Sequence, residues 1–340
     1  MKALFLVGPG KTEIREIEKP VPGPEEVLLR VAIVGFCGGD LNGFRGLFVL
    51  QEYPNILGHE LGALVEEKGA EVPDHINPGM KVTVNPYLSC GKCVSCRKGR
   101  PNACQDNRTM GVRRPGAMTE YIVVHWNTLF FSEKLSLKQL ALVEPLTVGF
   151  HAAARARVDS SDKVVVIGCG IVGIGAIAAS VNKGAEVIAI DIDDAKMQIA
   201  KKLGASYTIN SAKTDLHQAL TKITDGDGPD VIVEAVGNSS TYKAAVGEVA
   251  FTGRVVCIGY AKSPVEFDTG VFVKKEIEIL GSRNCLGEFP EVINYLESGN
   301  FPVDDVISRV VTIEEAGRAL AEWSNNPGPM TKIMVNFNLG

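Results

Sequence analysis

Six short apolar segments follow one another after Asp162, and segments with helical periodicity fill most of the gaps between them. The six span residues 163–167, 186–190, 207–209, 230–234, 254–258 and 277–280. Strands that alternate with helices in this way form a parallel, doubly wound sheet. The sequence therefore predicts an α/β domain here, preceded by a β-rich region of short alternating strands and long loops up to about residue 150.

A glycine motif lies between the first strand and the first helix of that predicted sheet. Residues 168–173 fit the G-x-G-x-x-G turn, which lets a pyrophosphate approach backbone N–H groups. The next strand ends at Asp191, where a carboxylate would bind ribose hydroxyls and repel a ribose phosphate, so NAD is favoured over NADP. The predicted cofactor contacts are Gly168, Gly170, Ile171, Val172, Gly173, Asp191, Gly259 and Ser282.

Half of the eight cysteines lie close together in the chain. Cys90, Cys93, Cys96 and Cys104 have the spacing of a four-thiolate zinc site, with disulfides or coincidence as the alternatives. Four thiolates leave no open coordination position for a substrate. The sequence therefore predicts a structural zinc lobe at residues 87–106, and the chemistry must be sought elsewhere.

A second group of residues could hold a catalytic metal. Cys37 follows a predicted strand, and His59 and Glu60 come shortly after it in the chain. One thiolate, one imidazole and one carboxylate can bind zinc and leave a position open. A lone buried cysteine or histidine is more often structural, so the spacing by itself leaves both interpretations open.

Composition and charge exclude several functional classes. The 340 residues carry a formal net charge of -5, which gives no overall attraction to nucleic acid or to an anionic membrane. No segment has the roughly twenty unbroken apolar residues that a membrane-spanning helix needs, and no signal peptide is indicated. We therefore expect neither a nucleic-acid nor a membrane partner, and we expect reduced cysteines and a cytoplasmic location.

The order of these motifs resembles that of the zinc-dependent medium-chain alcohol dehydrogenases over essentially the whole chain. The segment from Glu144 to Leu146 is similar to the polyol branch, which includes sorbitol dehydrogenase and sugar-acid dehydrogenases. The resemblance implies a GroES-like β-rich catalytic domain at residues 1–150 and 286–340, with a Rossmann domain inserted at residues 151–285. It also implies a homodimer or a homotetramer.

The resemblance further implies a role for each candidate residue. Cys37 and His59 would bind the catalytic zinc directly, and Glu60 and Glu144 would complete the site directly or through water. Asp40 would fix the tautomer of His59.

With two zinc ions per chain, one catalytic and one structural, such an enzyme would transfer a hydride from a secondary alcohol of a polyol or sugar acid to NAD. An amino-alcohol substrate, as in relatives of threonine dehydrogenase, and a non-catalytic module that binds zinc and NAD are the alternatives.

The chain departs from its resemblance in one respect. Relatives usually carry Ser or Thr two residues after the zinc cysteine and often a histidine three residues beyond that, whereas this chain has Gly39 and Asn42. A glycine offers no hydroxyl for a proton relay. We therefore hypothesise that Glu144 or Glu60, acting with a water, takes the proton of the alcohol. The competing interpretation is that Gly39 makes room for a bulkier substrate.

Four residues are predicted to contact the substrate. The resemblance places two of them after the sixth strand, and the other two lie on the loop that follows the zinc cysteine. They are Arg283, Asn284, Arg45 and Phe48. An arginine would explain recognition of a sugar acid, because its guanidinium binds a carboxylate with two parallel hydrogen bonds.

Overall fold

The computed structural model describes residues 1–328 and 330–337 of the chain; position 329 and residues 338–340 of the predicted catalytic domain lie outside that part. Two compact units are present. One consists of residues 1–144 together with the segment that begins at Phe289, and the other consists of residues 145–288.

Strands and helices of the two units are numbered in chain order. The strands are β1 (Lys2–Gly8), β2 (Lys11–Glu16), β3 (Glu26–Gly35), β4 (Asn55–Ile56), β5 (Glu60–Lys68), β6 (Lys81–Val84), β7 (Tyr87–Leu88), β8 (Arg108–Thr109), β9 (Tyr121–His125), β10 (Leu129–Phe131), β11 (Lys163–Ile167), β12 (Glu186–Asp191), β13 (Tyr207–Asn210), β14 (Val231–Glu234), β15 (Arg254–Cys257), β16 (Glu278–Gly281), β17 (Ile307–Thr312) and β18 (Lys332–Asn336). The helices are α1 (Gly38–Phe44), α2 (Val94–Arg97), α3 (Leu137–Ala156), α4 (Ile171–Asn182), α5 (Asp194–Lys202), α6 (Leu216–Ile223), α7 (Ser239–Glu248), α8 (Thr269–Lys275), α9 (Phe289–Glu297), α10 (Val303–Val306) and α11 (Ile313–Asn325).

The discontinuous unit is organised around β3. This strand reads Val-Leu-Leu-Arg-Val-Ala-Ile-Val over residues 27–34 and is buried along most of its length, because β5, β9 and β18 all pair with it. The sheet runs in the order β10-β6-β5-β3-β18-β17. Since β18 comes from the end of the chain and pairs antiparallel with β3, the C-terminal segment completes the sheet that the N-terminal segment begins.

The continuous unit contains the predicted parallel sheet. Its six strands run in the order β13-β12-β11-β14-β15-β16, and every pairing between them is parallel. The chain moves outward from β11 to β13 and then returns to β14 on the other side of β11. Sheets of this kind bind ligands at the carboxyl ends of their strands, next to the point where the order reverses.

No helix in the part of the chain that the structure describes is long and apolar enough to cross a membrane.

Candidate active site and cofactor-binding site

The thiol of Cys37 lies at the N-terminus of α1, just after β3. Cys37 is the N-cap residue of this helix, and its Sγ accepts a hydrogen bond from the backbone N–H of Gly39 at 3.3 Å. Asp40 closes the cap from the other side, because its Oδ2 accepts from the backbone N–H of Cys37 at 2.9 Å. This reciprocal arrangement fixes the thiol at the end of the central strand.

His59 and Glu60 reach the same place from the start of β5. Gly58 precedes them with φ of +96°, and a Cβ there would lie 2.8 Å from a neighbouring side chain, so the turn requires glycine. Glu60 then pairs with Gly35, the last residue of β3. As a result, one ligand atom from each of Cys37, His59 and Glu60 lies within 4.8 Å of the other two. We call these three residues the metal trio.

Three buried polar atoms at the metal trio and beside it lack a hydrogen-bond partner among the described residues. They are His59 Nδ1, Glu60 Oε1 and Asp40 Oδ1. Buried polar atoms in folded proteins are normally satisfied. An unsatisfied imidazole nitrogen and an unsatisfied carboxylate oxygen next to a thiol therefore fit a bound metal ion. Sulfur, nitrogen and oxygen donors in this combination suit zinc with a fourth position open.

The metal trio is surrounded by buried acidic groups. Glu60 and Asp40 are fully buried, and Glu144 is 2% exposed. Burial raises the pKa of Glu60 and of Asp40, and the charge of Glu144 raises the pKa of Glu60 further. Burial alone would lower the pKa of His59, but negative charges around the ring, Cys37 foremost, raise it well above its ordinary value. A divalent cation would relieve this excess of buried negative charge.

Lys332 brings a positive charge to Glu60 from β18. Its Nζ lies 2.5 Å from Glu60 Oε2 and donates to the carbonyl oxygen of Phe36 at 3.0 Å, and the lysine is 1% exposed. A Cβ at Gly35 would lie 2.3 Å from Glu60 Oε2, so the glycine makes room for this ion pair. Lysine therefore engages one oxygen of the carboxylate, and the other, Oε1, has no hydrogen-bond donor among the residues that the structure describes.

Glu144 lies on α3, directly before Pro145, and is not a member of the metal trio. Its Oε1 accepts a hydrogen bond from the hydroxyl of Tyr87. The charge of Glu144 nevertheless raises the pKa of both His59 and Glu60. The carboxylate is thus close enough to act on the metal trio, while the tyrosine holds one of its oxygens.

The loop after Cys37 contains two predicted substrate contacts. A Cβ at Gly39 would lie 3.7 Å from Cys37 Sγ and 3.9 Å from Phe48 Cε1, which are ordinary contact distances. Gly39 therefore leaves a small space between the thiol and the half-buried Phe48 ring. Arg45 is bonded elsewhere: its Nε donates to Ser324 Oγ at 3.1 Å and its Nη2 donates to the Ser324 carbonyl. This contact ties α1 to α11, and the substrate role of Arg45 stays a prediction.

The four cysteines of the predicted structural site form a separate cluster in the segment between β7 and β8. The Sγ atom of Cys93 lies 3.4 Å from that of Cys96 and 3.8 Å from that of Cys104. With zinc–sulfur bonds of about 2.3 Å, a tetrahedral site places its sulfurs about 3.8 Å apart, whereas a disulfide needs about 2 Å. None of the four described cysteines forms a disulfide, and the geometry fits a metal.

The glycine motif forms the turn from β11 into α4. Gly168 has φ of +97°, which glycine adopts freely. A Cβ at Gly173 would lie 1.8 Å from the Gly168 carbonyl oxygen, so glycine lets the helix pack against the turn. No atom of the described residues lies within 4 Å of the place where a Cβ of Gly170 would be. Gly170 caps α4, whose first residues are Ile171 and Val172. The N-terminus of α4 is therefore open to a phosphate group.

The other predicted cofactor contacts lie at the ends of neighbouring strands. Asp191 ends β12, and its Oδ2 accepts from the backbone N–H of Cys169 inside the glycine motif at 2.7 Å. Gly259 follows β15, and a Cβ there would lie 2.2 Å from the backbone nitrogen of Gly237. Ser282 follows β16 and is buried, and its hydroxyl has no hydrogen-bond partner in the described ranges. These positions share one edge of the sheet.

The two edges of the parallel sheet carry different features. The carboxyl edge carries the glycine motif and the half-buried residues Arg283 and Asn284. The amino edge carries a cavity of about 460 Å³ lined in part by Glu248, Phe251 and Lys275, which lie near the start of β15 and before β16. Because dinucleotides bind at the carboxyl edge of such sheets, this cavity is not the cofactor site.

Comparisons with known proteins identify the family. Residues 23–133 match the family model described as alcohol dehydrogenase GroES-like domain, and residues 172–298 match the model described as zinc-binding dehydrogenase. Sorbitol dehydrogenase of Bacillus subtilis (strain 168) is 30% identical over 99% of this chain and 98% of its own length. L-idonate 5-dehydrogenase of Vitis vinifera is 31% identical over 98% of this chain and 94% of its own length. The chain belongs to the zinc-dependent alcohol dehydrogenase family.

Solved structures of this family agree with the fold of the chain. A zinc-binding dehydrogenase of Sinorhizobium meliloti 1021 bound to NADP has a TM-score of 0.92 at 28% identity, covering 98% of each chain. RspB of E. coli CFT073, complexed with NADH, has a TM-score of 0.91 at 28% identity, covering 99% of each chain. The predicted family and the predicted fold class, a GroES-like domain with a Rossmann domain, are confirmed. The chain is an oxidoreductase.

Sequence reasoning missed two residues of this alcohol dehydrogenase. Lys332 lies at the start of an apolar strand near the end of the chain. Its charge at the start of this strand was the one feature of the sequence that could have indicated a role in the site. Tyr87 precedes the cysteine lobe without any motif of its own. The predicted contact between Asp40 and His59 stays a prediction, because Asp40 acts on the ring through its charge while its Oδ2 caps α1.

Replacing Lys332 by methionine is expected to lower the free energy of unfolding by about 3–5 kcal/mol, because it leaves the Glu60 carboxylate buried without its cation. Urea unfolding followed by tryptophan fluorescence measures the change. Lys2→Met is the matched control, since Lys2 forms an exposed pair with Glu314 at 2.6 Å and its loss should leave the midpoint unchanged. Equal midpoints for the parent and Lys332→Met would mean that this ion pair contributes nothing to stability.

Proposed function

We propose that this dehydrogenase oxidises a secondary alcohol of a polyol or of a sugar acid to the ketone, with NAD as the hydride acceptor. The observation that carries the proposal is the metal trio of Cys37, His59 and Glu60, whose buried nitrogen and oxygen lack hydrogen-bond partners within the described ranges. Three protein donors leave a metal ion with one position for a substrate hydroxyl, which the closed four-cysteine cluster does not.

The residues of the metal trio would hold the catalytic zinc through Cys37 Sγ, a ring nitrogen of His59 and Glu60 Oε1. When bound, zinc supplies a Lewis acid that lowers the pKa of the substrate hydroxyl. The chain holds these donors in place from three sides: the α1 cap fixes Cys37, the turn at Gly58 fixes His59, and Lys332 fixes the second oxygen of Glu60. Such support is what a metal site needs to keep its geometry.

Asp191 supports NAD as the cofactor. A carboxylate at the end of the second strand of the parallel sheet can accept hydrogen bonds from the ribose hydroxyls and would repel a 2′-phosphate. The residues that follow, Ile192 and Asp193, supply no positive charge that would reverse this preference. Relatives in solved structures hold NADH in one case and NADP in the other, so family membership alone leaves the choice open.

The names of the relatives support a polyhydroxylated substrate, because one acts on sorbitol and another on L-idonate. Arg283, at the carboxyl edge of the parallel sheet, supplies a guanidinium that could bind a sugar-acid carboxylate or several hydroxyls. Asn284 follows it with φ of +53°, which turns the chain immediately after this arginine. Both residues are proposed to contact the substrate, together with Phe48.

The assembly and location of the enzyme are also proposals. An exposed edge strand supports a homodimer or a homotetramer: β16 has a neighbour on one side in the sheet, and Ile279 on it is 43% exposed. None of the eight cysteines forms a disulfide in the described part of the chain, which supports a reducing compartment; for this enzyme that would be the cytoplasm.

A substrate panel tests the proposed function. We expect oxidation of at least one polyol or aldonate, with kcat/KM for NAD exceeding that for NADP by about tenfold or more, because two like charges near 4 Å repel by about 1–4 kcal/mol. Initial rates of NADH and NADPH formation on polyols, aldonates and amino alcohols provide the measurement. Activity on amino alcohols alone would overturn the substrate class, and equal use of both cofactors in the parent would overturn the role of Asp191.

A further inference from the structure

The carboxylate of Glu234 lies at the end of β14 and holds the turn that leads from this strand into α7. The residue is fully buried. Its Oε1 accepts hydrogen bonds from the backbone N–H of Val236 at 3.1 Å, from that of Gly237 at 2.9 Å and from the hydroxyl of Thr241 at 2.7 Å. Hydrogen bonds to an ionised acceptor are stronger than neutral ones. One oxygen therefore fixes both the turn and the N-terminus of α7.

Glu234 also joins the turn that follows β15. Its carbonyl oxygen accepts from the backbone N–H of Ile258 at 2.9 Å and from that of Gly259 at 3.2 Å. A Cβ at Gly259 would lie 2.2 Å from the backbone nitrogen of Gly237 and 2.8 Å from Glu234 Oε2, so the glycine lets this turn lie directly against the carboxylate. The hydroxyl of Tyr242 on α7 donates to the carbonyl oxygen of Gly259. Glu234 thus contacts two neighbouring turns at the carboxyl edge of the sheet.

The turn after β14 packs against the glycine motif. A Cβ at Gly168 would lie 2.6 Å from Val236 Cγ2, and a Cβ at Gly173 would lie 3.6 Å from the Cβ of Ala235. Val236 and Tyr260, one on each of the two turns, have exposed side chains that are open to a ligand. The strand order reverses between β11 and β14, and parallel sheets bind dinucleotides beside that point. The turns that Glu234 holds therefore lie where the cofactor is expected.

Packing alone does not account for a carboxylate at this position. Its Oε2 is buried and has no hydrogen-bond partner in the part of the chain that the structure describes, and a buried acceptor without a donor costs free energy. We propose that Glu234 is a positioning residue that fixes the turns after β14 and β15 against the glycine motif and so shapes the site for the nicotinamide dinucleotide. The inference requires that the chain binds such a cofactor, and it is independent of the proposed substrate and of the preference for NAD.

Glu234→Gln tests the inference, because glutamine has nearly the same shape and no charge. The donors to Oε1 lose their ionised acceptor, and the amide NH₂ group lies buried against Gly259. We expect the Kd for NADH and the KM for NAD to rise about tenfold, while kcat at saturating NAD does not fall and the zinc content stays that of the parent. Fluorescence titration with NADH, initial rates and atomic absorption measure these quantities.

Asp230→Asn is the matched control, because Asp230 directly precedes β14 at the opposite end of the strand. Its Oδ2 accepts from the backbone N–H of Lys163 at 2.8 Å, so this variant also removes a negative charge that binds the backbone of the same sheet. The free energy of unfolding should fall in both variants, whereas the Kd for NADH should stay parental in Asp230→Asn. Equal weakening of NADH binding in the two variants would overturn the inference, because general destabilisation of the sheet would then explain it.

Thr241→Val decides the question if Glu234→Gln does not fold. It removes one of the three donors to Oε1, so we expect the Kd for NADH to rise about threefold. Thr224→Val is the control for loss of a buried hydroxyl: Thr224 Oγ1 accepts from the backbone N–H of Gly228 at 3.0 Å beside the cavity at the amino edge, and its loss should leave the Kd unchanged. In that case a parental Kd in Thr241→Val would overturn the inference.

The outcomes distinguish this inference from the proposed function. Parental NADH affinity in folded Glu234→Gln would overturn the inference and leave the proposed function standing. A parent chain that binds NADH, loses this binding in Glu234→Gln and oxidises no polyol or aldonate would overturn the proposed function and support the inference.

Discussion

His59→Ala is expected to lower kcat/KM by about a thousandfold or more and to reduce the zinc content from two ions per chain to one. The ring supplies the nitrogen of the metal trio, and its Nδ1 has no other partner in the described part of the chain. A Lewis acid contributes several kcal/mol to such a reaction, and each 1.36 kcal/mol changes the rate tenfold. Zinc content by atomic absorption and initial rates of NADH formation provide the two measurements.

A matched histidine variant shows whether this loss is specific. His75→Ala replaces an exposed loop histidine in the same unit, so it should keep both zinc ions and the parental kcat/KM. The four-cysteine cluster is unaltered in both variants, and the zinc that His59→Ala retains should be the one in that cluster. Two zinc ions in purified His59→Ala would contradict the assignment of the catalytic metal to the trio.

The glycine motif was predictable from sequence because its determinants are local. Gly168 and Gly173 lie five residues apart in one turn, and the close approach between them depends only on how β11 leads into α4. The six strands around the motif were predictable for the same reason, since each is a short apolar run and most are followed by a segment with helical periodicity. Local patterns of this kind specify both the turn and the sheet that carries it.

The metal trio was harder to predict, because its residues meet through a pairing of two strands that no local sequence pattern reveals. Cys37 and Glu60 become neighbours because β3 and β5 pair with Gly35 opposite Glu60, and the spacing of the residues alone left a structural interpretation open. The resemblance to a family, carried by the order of the motifs, supplied that pairing. Metal ligands that only tertiary contacts bring together can be found from sequence only when the order of the motifs resembles that of a known family.

Lys332 and Arg45 form contacts that sequence reasoning does not reveal. A lysine is rarely buried, so nothing in the sequence indicated that Lys332 would lie 1% exposed against a residue 272 positions earlier in the chain. The substrate contact of Arg45 stays a prediction, and nothing in the sequence indicated that its guanidinium would bond to Ser324, 279 positions later. The partner of a long side chain depends on the tertiary packing around it, and neither hydrophobic periodicity nor motif spacing predicts that packing.

Gly173→Ala is expected to weaken NADH binding by about a hundredfold and to lower the free energy of unfolding by about 1–3 kcal/mol. The added Cβ would lie 1.8 Å from the Gly168 carbonyl oxygen, and because the contact is with backbone, α4 itself must move away from the turn. That movement displaces the N–H groups that are predicted to bind the pyrophosphate. Fluorescence titration with NADH and urea unfolding measure the two effects.

Substitutions at two other glycines distinguish an effect on helix packing from an effect on NADH binding. The Cβ of Gly247→Ala on α7 would meet no atom of the described chain within 4 Å, so this variant should leave NADH binding unchanged and add about 0.5–1 kcal/mol of stability through helix propensity. The Cβ of Gly170→Ala would likewise meet no atom within 4 Å in the part of the chain that the structure describes, so the free energy of unfolding should be unchanged. Its Cβ would nevertheless occupy the space predicted for the pyrophosphate, and NADH binding should weaken. Parental NADH affinity in Gly170→Ala would mean that the pyrophosphate does not lie over this residue, and that the motif serves only as a tight turn for packing α4.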